Sequence, residues 1–240
     1  MRILLTEAGS VLGAALDAAL KGGHQVRTLA AEGVDPMRAH DVWQAVRGVD
    51  AVVLTGEVAG PLPSDDLARD RHLLDAATRG THVLFQAAVE AGVKRLVYCS
   101  SLELFARVPD DVYVAEHRRP APGTDMRWLS RHLAEQVARE FAREFAATVT
   151  VLRLGRLVRE EDVSAGAEPD LMWLDPRDAA TAVAGALGRD HSAALNWTQR
   201  FAVYHVCASP PHAKFLTDAA RAGLGFSPEH NFAAAWSAAR

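Results

Sequence analysis

The first thirty residues constrain the fold most, because they change from strand to helix to strand within one short unit. Residues 1–6 form an apolar run that ends in a polar residue, as a short buried strand does. A turn over residues 7–13 leads into strong helix formers, which stop at two glycines before a second strand at 24–29. A strand, tight turn, helix and strand of this length normally hold a pyrophosphate at the helix N-terminus.

The same alternation continues to the end of the chain. Further strands are predicted at residues 51–55, 95–100, 149–154 and 201–206, and helices at 36–46, 65–91, 126–145, 176–187 and 211–222, before an irregular tail. Strands that alternate with helices form parallel sheets with helices on both faces. The sequence therefore predicts an α/β fold built on a doubly wound parallel sheet of six or seven strands.

Composition excludes several classes of function. The net charge of −4 gives no argument for a nucleic-acid surface, and no apolar run approaches the length of a bilayer span. The N-terminus lacks the charged flank and cleavage site of a signal peptide, so a cytoplasmic protein is expected. Two isolated cysteines form no disulfide framework, and no histidine pair has the spacing of a zinc motif, so no metal site is predicted.

Several segments of the chain follow one another in a familiar order. They are residues 48–53, 80–81, 87–101, 152–155, 173–178 and 224–228. With the N-terminal unit, they resemble the extended short-chain dehydrogenase/reductases, the NAD-dependent epimerase/dehydratase family, and the layout is most similar to uronate dehydrogenases. The resemblance implies a Rossmann-like dinucleotide-binding core at 1–155, an interleaved small C-terminal substrate lobe at 156–240 in one compact unit, and a homodimer.

The resemblance also shows how the cofactor site departs from the family pattern. It places cofactor contacts on Thr6, Glu7, Gly9, Ser10, Val11, Leu12, Gly13 and Ala30. Glu7 and Ser10 stand where the pattern T-G-x-x-G-x-x-G has its first two glycines, and Ala30 stands where an acidic residue normally holds the adenosine ribose. A carboxylate 4 Å from a phosphate costs on the order of 4 kcal/mol at an effective dielectric near 20. We therefore expect weak or absent NAD(P) binding, with Ser10 capping the helix and Glu7 stabilising its turn.

The catalytic positions implied by the family have changed as well. Ser101 matches the family serine, but the motif Y-x-x-x-K falls on Arg127 and Arg131. In the family the tyrosine is the general acid/base and the lysine lowers its pKa. Arginine does not deprotonate in proteins, so it cannot replace that tyrosine. Two arginines four residues apart share a helix face, and we expect them to form an anion site in the cleft or to pair there with an acid such as Glu103.

Three functional hypotheses follow. The favoured one is a non-catalytic family member that acts as a small-molecule binding or assembly protein for an unknown small anionic ligand, because five positions at one functional centre have departed. The second is an NAD(P)-dependent oxidoreductase or epimerase on a sugar or sugar acid, with altered residues. The third is a different chemistry using Ser101 and the arginines, since Ser101 otherwise caps local backbone. Tyr113, with His117 four residues later, is a weaker candidate substitute for the missing tyrosine.

Overall fold

The computed structural model describes residues 1–29, 33–58, 60–164 and 167–238, and within these ranges it confirms the predicted fold class. The strands are β1 (Arg2–Leu5), β2 (Gln25–Thr28), β3 (Ala51–Leu54), β4 (Arg95–Ser101), β5 (Thr148–Leu154), β6 (Arg156–Leu157), β7 (Trp173–Leu174) and β8 (Phe201–Val206). Six of these form one parallel sheet in the order β2-β1-β3-β4-β5-β8, while β6 and β7 form a separate parallel pair.

Helices cover both faces of the sheet. They are α1 (Val11–Leu20), α2 (Ala39–Ala45), α3 (Asp66–Asp75), α4 (Thr81–Glu90), α5 (Met126–Glu144), α6 (Pro176–Gly188), α7 (Trp197–Arg200), α8 (Asp218–Leu224) and α9 (Ala233–Ala238). One apolar core lies between the sheet and α1 and α6, and a second lies between the sheet and α2, α4 and α5. No helix in the described part of the chain is long and apolar enough to cross a bilayer.

The position of the cleft follows from the strand order. The chain passes from β1 to β2 on one side and then returns to place β3 on the other side of β1. Open α/β sheets bind ligands at such a switch point, outside the carboxyl ends of the strands. Two threonines join the strand ends here, because the amide of Thr55 donates to Thr6 Oγ1 at 3.1 Å and the two hydroxyl oxygens lie 3.2 Å apart.

Three predicted elements differ from the structure. The helix predicted over 65–91 contains a π-helical turn, Ala76–Gly80, between α3 and α4. The helix predicted over 211–222 begins only at Asp218, and the tail predicted to be irregular contains α9. The residues before α8 are not helical because the carbonyl of Lys214 accepts from the amide of Val114, and the buried Lys214 ammonium donates to the carbonyl of Val108 at 2.6 Å. Tertiary contacts therefore override the local helix pattern.

Residues after 155 contribute directly to the core of the sheet. They supply the edge strand β8, which pairs with β5, and helix α6, which packs against α1. The assignment of residues 1–155 and 156–240 to a core and a substrate lobe stays a prediction.

Candidate functional site

Two cavities lie along the carboxyl edge of the sheet. The polar cavity, of about 420 Å³, is lined by the start of α1, the ends of β3, β4 and β5, and part of α5; its charged lining residues are Glu57, Glu103, Arg131 and Arg156. The apolar cavity, of about 230 Å³, lies beside the end of β2 and the π-helical turn and is lined mainly by Leu29, Val34, Met37, Leu54, Val58 and Leu84. Thr6 and Glu7 also line the apolar cavity, and Glu57 lines both.

The turn before α1 satisfies its own amide donors. Glu7 Oε1 accepts from the amide of Gly9 at 2.6 Å, and Ser10 Oγ accepts from the amide of Gly13 at 3.0 Å, which makes Ser10 the N-cap that its residue type predicts. These are donors of the kind that bind phosphate at a helix N-terminus. Val11 and Leu12 follow in the first helical turn, where amides have no intrahelical acceptor, and both residues line the polar cavity.

Gly13 is required by close packing. A Cβ atom at this position would lie 2.0 Å from the carbonyl oxygen of Glu7, so any larger residue would push α1 away from the end of β1. This glycine therefore has the packing role that the last glycine of the family motif implies. Ala30, the predicted ribose position, lies outside the described residues.

Ser101 lies at the edge of the polar cavity, but its hydroxyl already has a structural partner. Ser101 Oγ accepts from the amide of Glu103 at 3.1 Å and caps the short 3₁₀ turn Leu102–Phe105. Among the described residues that line the cavity, none is a histidine, lysine or tyrosine able to take the serine proton. The arrangement does not form an activated nucleophile, which needs a base within hydrogen-bond reach.

Arg131 lies in the wall of the polar cavity, as the sequence predicts. Its Nη2 lies 3.1 Å from Glu57 Oε1, and its Nη1 donates to the carbonyl of Cys99 at 3.4 Å. Gly56 makes this approach possible, because its φ is +71° and a Cβ there would lie 2.3 Å from the Cys99 oxygen and 2.8 Å from Arg131 Nη1. The Arg131 side chain is 15% exposed, so the ion pair is largely withdrawn from solvent on the arginine side.

Arg127 is not in the cleft, and for this residue the prediction was wrong. It is exposed, does not line the polar cavity and has its guanidinium 5.7 Å from the ring centre of Trp128. The reason is its place in the first turn of α5, one helical turn before Arg131 and closer to the exposed end of the helix. Only one of the two arginines therefore faces the cleft.

Glu103 pairs with neither of these arginines, which corrects the second part of that prediction. It accepts from Nε of Arg156, and Nη1 of Arg156 is bonded to Asp170. The two carboxylates raise the pKa of Arg156 above its usual value, first through the hydrogen bond that Arg156 donates to Glu103. Arg156 is a cavity residue that sequence reasoning missed; the signal is its position directly after the segment 152–155 that ends β5.

A buried ion pair lies beneath the polar cavity and was also missed. Arg153 donates from Nε and Nη2 to the two oxygens of Glu135, at 3.0 and 2.8 Å, with side chains only 5% and 3% exposed. Ser100, which lines the cavity, donates to Glu135 Oε1 at 2.6 Å, and Nη1 of Arg153 donates to the carbonyl of Glu116. An arginine inside a strand with no other charged residue is the sequence signal for such a pair.

The chain has three tyrosines, all within the described residues, and none lines the polar cavity. Tyr98 is buried, which raises the pKa of its hydroxyl through desolvation. Tyr113 is 72% exposed, and Tyr204 is buried against α8, where a Cβ at Gly223 would lie 2.4 Å from its hydroxyl oxygen. In the described ranges, no three His, Cys, Asp or Glu side chains form a group that could hold a metal ion.

Comparison with known proteins identifies the family. A family profile described as "NAD(P)H-binding" matches residues 14–186, which is more than half of the chain. The chain is 25% identical over 205 residues to an NAD-dependent glucose-6-phosphate dehydrogenase of Haloferax volcanii, covering 80% of this chain and 72% of that protein.

Solved structures show the same fold. Uronate dehydrogenase from Agrobacterium tumefaciens superposes with a TM-score of 0.75 at 19% identity, covering 97% of this chain and 86% of that chain. UDP-N-acetylglucosamine 4-epimerase from Bacillus cereus superposes with a TM-score of 0.73 at 18% identity, covering 98% and 96%. The sequence match and the shared fold agree with the resemblance drawn from the motifs, and the chain belongs to the NAD(P)H-binding family, with the fold of the short-chain dehydrogenase/reductases and NAD-dependent epimerases.

Proposed function

We propose that this chain is a non-catalytic member of its family that binds a small anionic molecule in the polar cavity and binds NAD(P) weakly or not at all. The observation that carries the proposal is where the side chains at the family's two catalytic positions lie in this structure. Arg127, at the tyrosine position, is exposed outside the cavity, and Arg131, at the lysine position, is held by Glu57.

Hydride transfer in this family needs a group that exchanges a proton with the substrate carbinol. Arginine cannot do this, and the described lining residues of the polar cavity include no tyrosine or histidine. The carboxylates present are engaged: Glu57 with Arg131, and Glu103 with Arg156. These contacts support binding without proton transfer.

The residues at the turn do not fit a diphosphate. The carboxylate of Glu7 occupies the amide of Gly9, so a phosphate at that amide would meet both a filled donor and a like charge. Like charges at this distance cost a few kcal/mol near a protein surface. The family profile is one of NAD(P)H binding, but the residues of this turn do not fit a dinucleotide. That mismatch supports weak dinucleotide binding.

An anionic ligand fits the cationic side chains and helix amides that line the polar cavity. Arg131, Arg156 and the first turn of α1 surround the same cavity, and a ligand carboxylate or phosphate there gains charge-assisted hydrogen bonds. Because Glu57 holds Arg131, and Glu103 and Asp170 hold Arg156, the ligand has to displace at least one carboxylate, and moderate affinity is expected. The similar proteins are named for uronates and glucose 6-phosphate, so glucuronate and glucose 6-phosphate are suitable probes.

Calorimetry with these probes tests the proposal. Glucuronate or glucose 6-phosphate should bind, glucose should not bind as their uncharged control, and NAD, NADH, NADP and NADPH should give no measurable heat. A ligand at 100 times its dissociation constant would add about 2.7 kcal/mol to the free energy of unfolding, so thermal unfolding is a second readout. Micromolar binding of a nicotinamide dinucleotide, or reduction of NAD(P) with either sugar, would contradict the proposal.

The second candidate is an NAD(P)-dependent oxidoreductase or epimerase on a sugar or sugar acid with altered residues. It is favoured by Ser101, which still lines the cavity, and by the names of the structural neighbours. The double variant Arg127→Tyr with Arg131→Lys separates the two readings: hydride transfer by this variant alone would show an intact nucleotide site. If the first reading holds, activity should need Glu7→Gly, Ser10→Gly and Ala30→Asp as well.

A homodimer formed through the helices at 69–91 and 126–145 stays a proposal from the family resemblance, as does a cytoplasmic location. Light scattering on the purified chain tests the first of these. A monomer at micromolar concentration would contradict it.

A further inference from the structure

Among the described lining residues, Glu57 is the one that the two cavities share, and it contacts Arg131 in the wall of the polar cavity. Glu57 follows β3 and lines both cavities, whereas Arg131 projects from α5 and lines only the polar one. The contact of 3.1 Å between Nη2 and Oε1 therefore joins the sheet edge to the helix at the residue that both cavities share.

The arginine side chain and the backbone of Glu57 are both held in place. Nη1 of Arg131 is anchored to the carbonyl of Cys99, and Glu57 is preceded by Gly56, whose backbone conformation leaves no room for a Cβ. The amide of Glu57 donates to Thr55 Oγ1 at 3.4 Å, which ties the segment to the threonine pair at the strand ends. The arginine side chain is 15% exposed and the glutamate side chain is 40% exposed. The position of the guanidinium is therefore fixed by its surroundings, whereas the carboxylate of Glu57 has room to move.

We propose that the Glu57–Arg131 ion pair is a partition that divides the cleft into two separate chambers, and that Glu57 is the residue that excludes ligands long enough to span both. The polar chamber of about 420 Å³ then accepts a compact anion, and the apolar chamber of about 230 Å³ is closed to the rest of an extended molecule. This inference rests on the proposed weak dinucleotide binding and assigns it to a second residue besides Glu7.

The partition makes two effects of Glu57 separable. As a charge, Glu57 competes with a ligand anion for Arg131, and its removal should strengthen binding of any compact anion. As a barrier, Glu57 separates the two cavities, and its removal should admit a ligand long enough to occupy both. Glu103 has only the first property, because it lines the polar cavity beside Arg156 and does not line the apolar cavity.

The experiment compares Glu57→Ala with Glu103→Ala, both in a Glu7→Gly background that removes the carboxylate from the turn. Calorimetry with NAD should show affinity about tenfold higher for Glu7→Gly/Glu57→Ala than for Glu7→Gly alone, because the shorter alanine side chain removes the barrier between the two cavities. Glu7→Gly/Glu103→Ala should stay within about twofold of the background. Glucuronate should bind more tightly to both double variants.

The outcomes distinguish the partition from simple charge removal. Equal gains in NAD affinity from Glu57→Ala and Glu103→Ala would show a general electrostatic effect and overturn the partition, as would no gain from either. Glu57→Gln, which keeps the size of the side chain, should strengthen glucuronate binding while leaving NAD affinity near the background. Micromolar NAD binding by the unaltered chain would refute the proposed function. The partition is tested separately, by the ratio of the NAD affinities of the two double variants. Thermal unfolding of each variant confirms that it is folded.

Discussion

Two arginine–glutamate pairs involve α5 at positions one helical turn apart, yet they differ in almost every physical respect. Glu135 receives two bonds from Arg153 and lies beneath the polar cavity with both side chains at most 5% exposed. Arg131 makes a single 3.1 Å contact to Glu57, which is 40% exposed. The first pair connects a helix to the buried strand β5, whereas the second crosses an open cleft.

The difference distinguishes an ion pair that stabilises the fold from an ion pair whose change would alter ligand binding. The buried pair is satisfied on several sides, by Ser100 and by the carbonyl of Glu116, so removal of either partner leaves a charge in an apolar interior. The half-exposed pair can exchange its carboxylate for a ligand or water at low cost. We infer that the buried pair supports the fold, whereas the charges of the cleft can change at a lower cost in stability.

The largest effect is expected from breaking the buried pair. Glu135→Ala should lower the free energy of unfolding by about 3–5 kcal/mol, because Arg153 is left buried without its partner. For a chain of this size that corresponds to a fall in the melting temperature of about 6–20 °C. Urea denaturation followed by circular dichroism measures the change, and a loss below about 1 kcal/mol would remove the distinction between the two pairs.

A substitution at Gly13 tests whether the close packing of the turn before α1 is needed for the stability of the fold. Gly13→Ala should cost about 3 kcal/mol, at the upper end of overpacking effects, because the new methyl group would lie 2.0 Å from the backbone oxygen of Glu7. Gly22→Ala is the matched control, since nothing lies within 4 Å of a Cβ there. Equal urea midpoints for the two variants would show that α1 moves freely away from β1.

The stability of the fold should also depend on pH, through the buried side chain of His205. This side chain is fully buried beside Arg153, neither ring nitrogen has a hydrogen-bond partner among the described residues, and burial lowers its pKa to about 3. Since the folded pKa lies below the unfolded value near 6.5, stability is complete above pH 6.5 and falls as the pH drops toward 3. At pH 5 the loss should be about 2 kcal/mol.

The variant His205→Leu isolates this contribution from the other histidines. Comparison of urea denaturation at pH 7.5 and pH 5 should show a smaller loss for the variant than for the unaltered chain, by about 2 kcal/mol. The same loss in both proteins would place the acid sensitivity elsewhere.

The smallest effect on stability is expected at the cleft. Glu57→Gln should change the free energy of unfolding by less than about 1 kcal/mol, because the pair is partly solvated on the glutamate side. The same denaturation assay measures it next to Glu135→Ala. A cost similar to that of the buried pair would mean that Glu57 supports the fold and is not free to adapt.

The sequence was sufficient for the fold because each element carries its own signal. The apolar run at β1, the capping residue Ser10 and the glycines after α1 all act locally, and their periodicity predicts a parallel sheet without knowledge of contacts. Where distant contacts decide, the prediction was wrong, as at Lys214, whose buried ammonium holds a non-helical segment in place of a helical turn.

The site was predictable only in part, for the same reason. Motif positions identified Glu7, Ser101 and Arg131 as residues near the cleft, because a motif fixes a place relative to a strand end. The partners of these residues come from elsewhere in the chain: Glu57 lies 74 positions before Arg131, and Arg156 reaches Glu103 across 53 positions. No local pattern indicates which acid pairs with which arginine, or that Arg127 would remain in solvent.

The self-satisfied turn before α1 has a consequence for how this protein behaves in a changing environment. In a dinucleotide-binding turn the amide donors stay incomplete until a ligand arrives, so the stability of the fold rises and falls with the supply of that ligand. Here Glu7 and Ser10 complete the donors of Gly9 and Gly13 from within the chain. On the proposed function, the stability of the folded chain would therefore not depend on the supply of a dinucleotide in its surroundings.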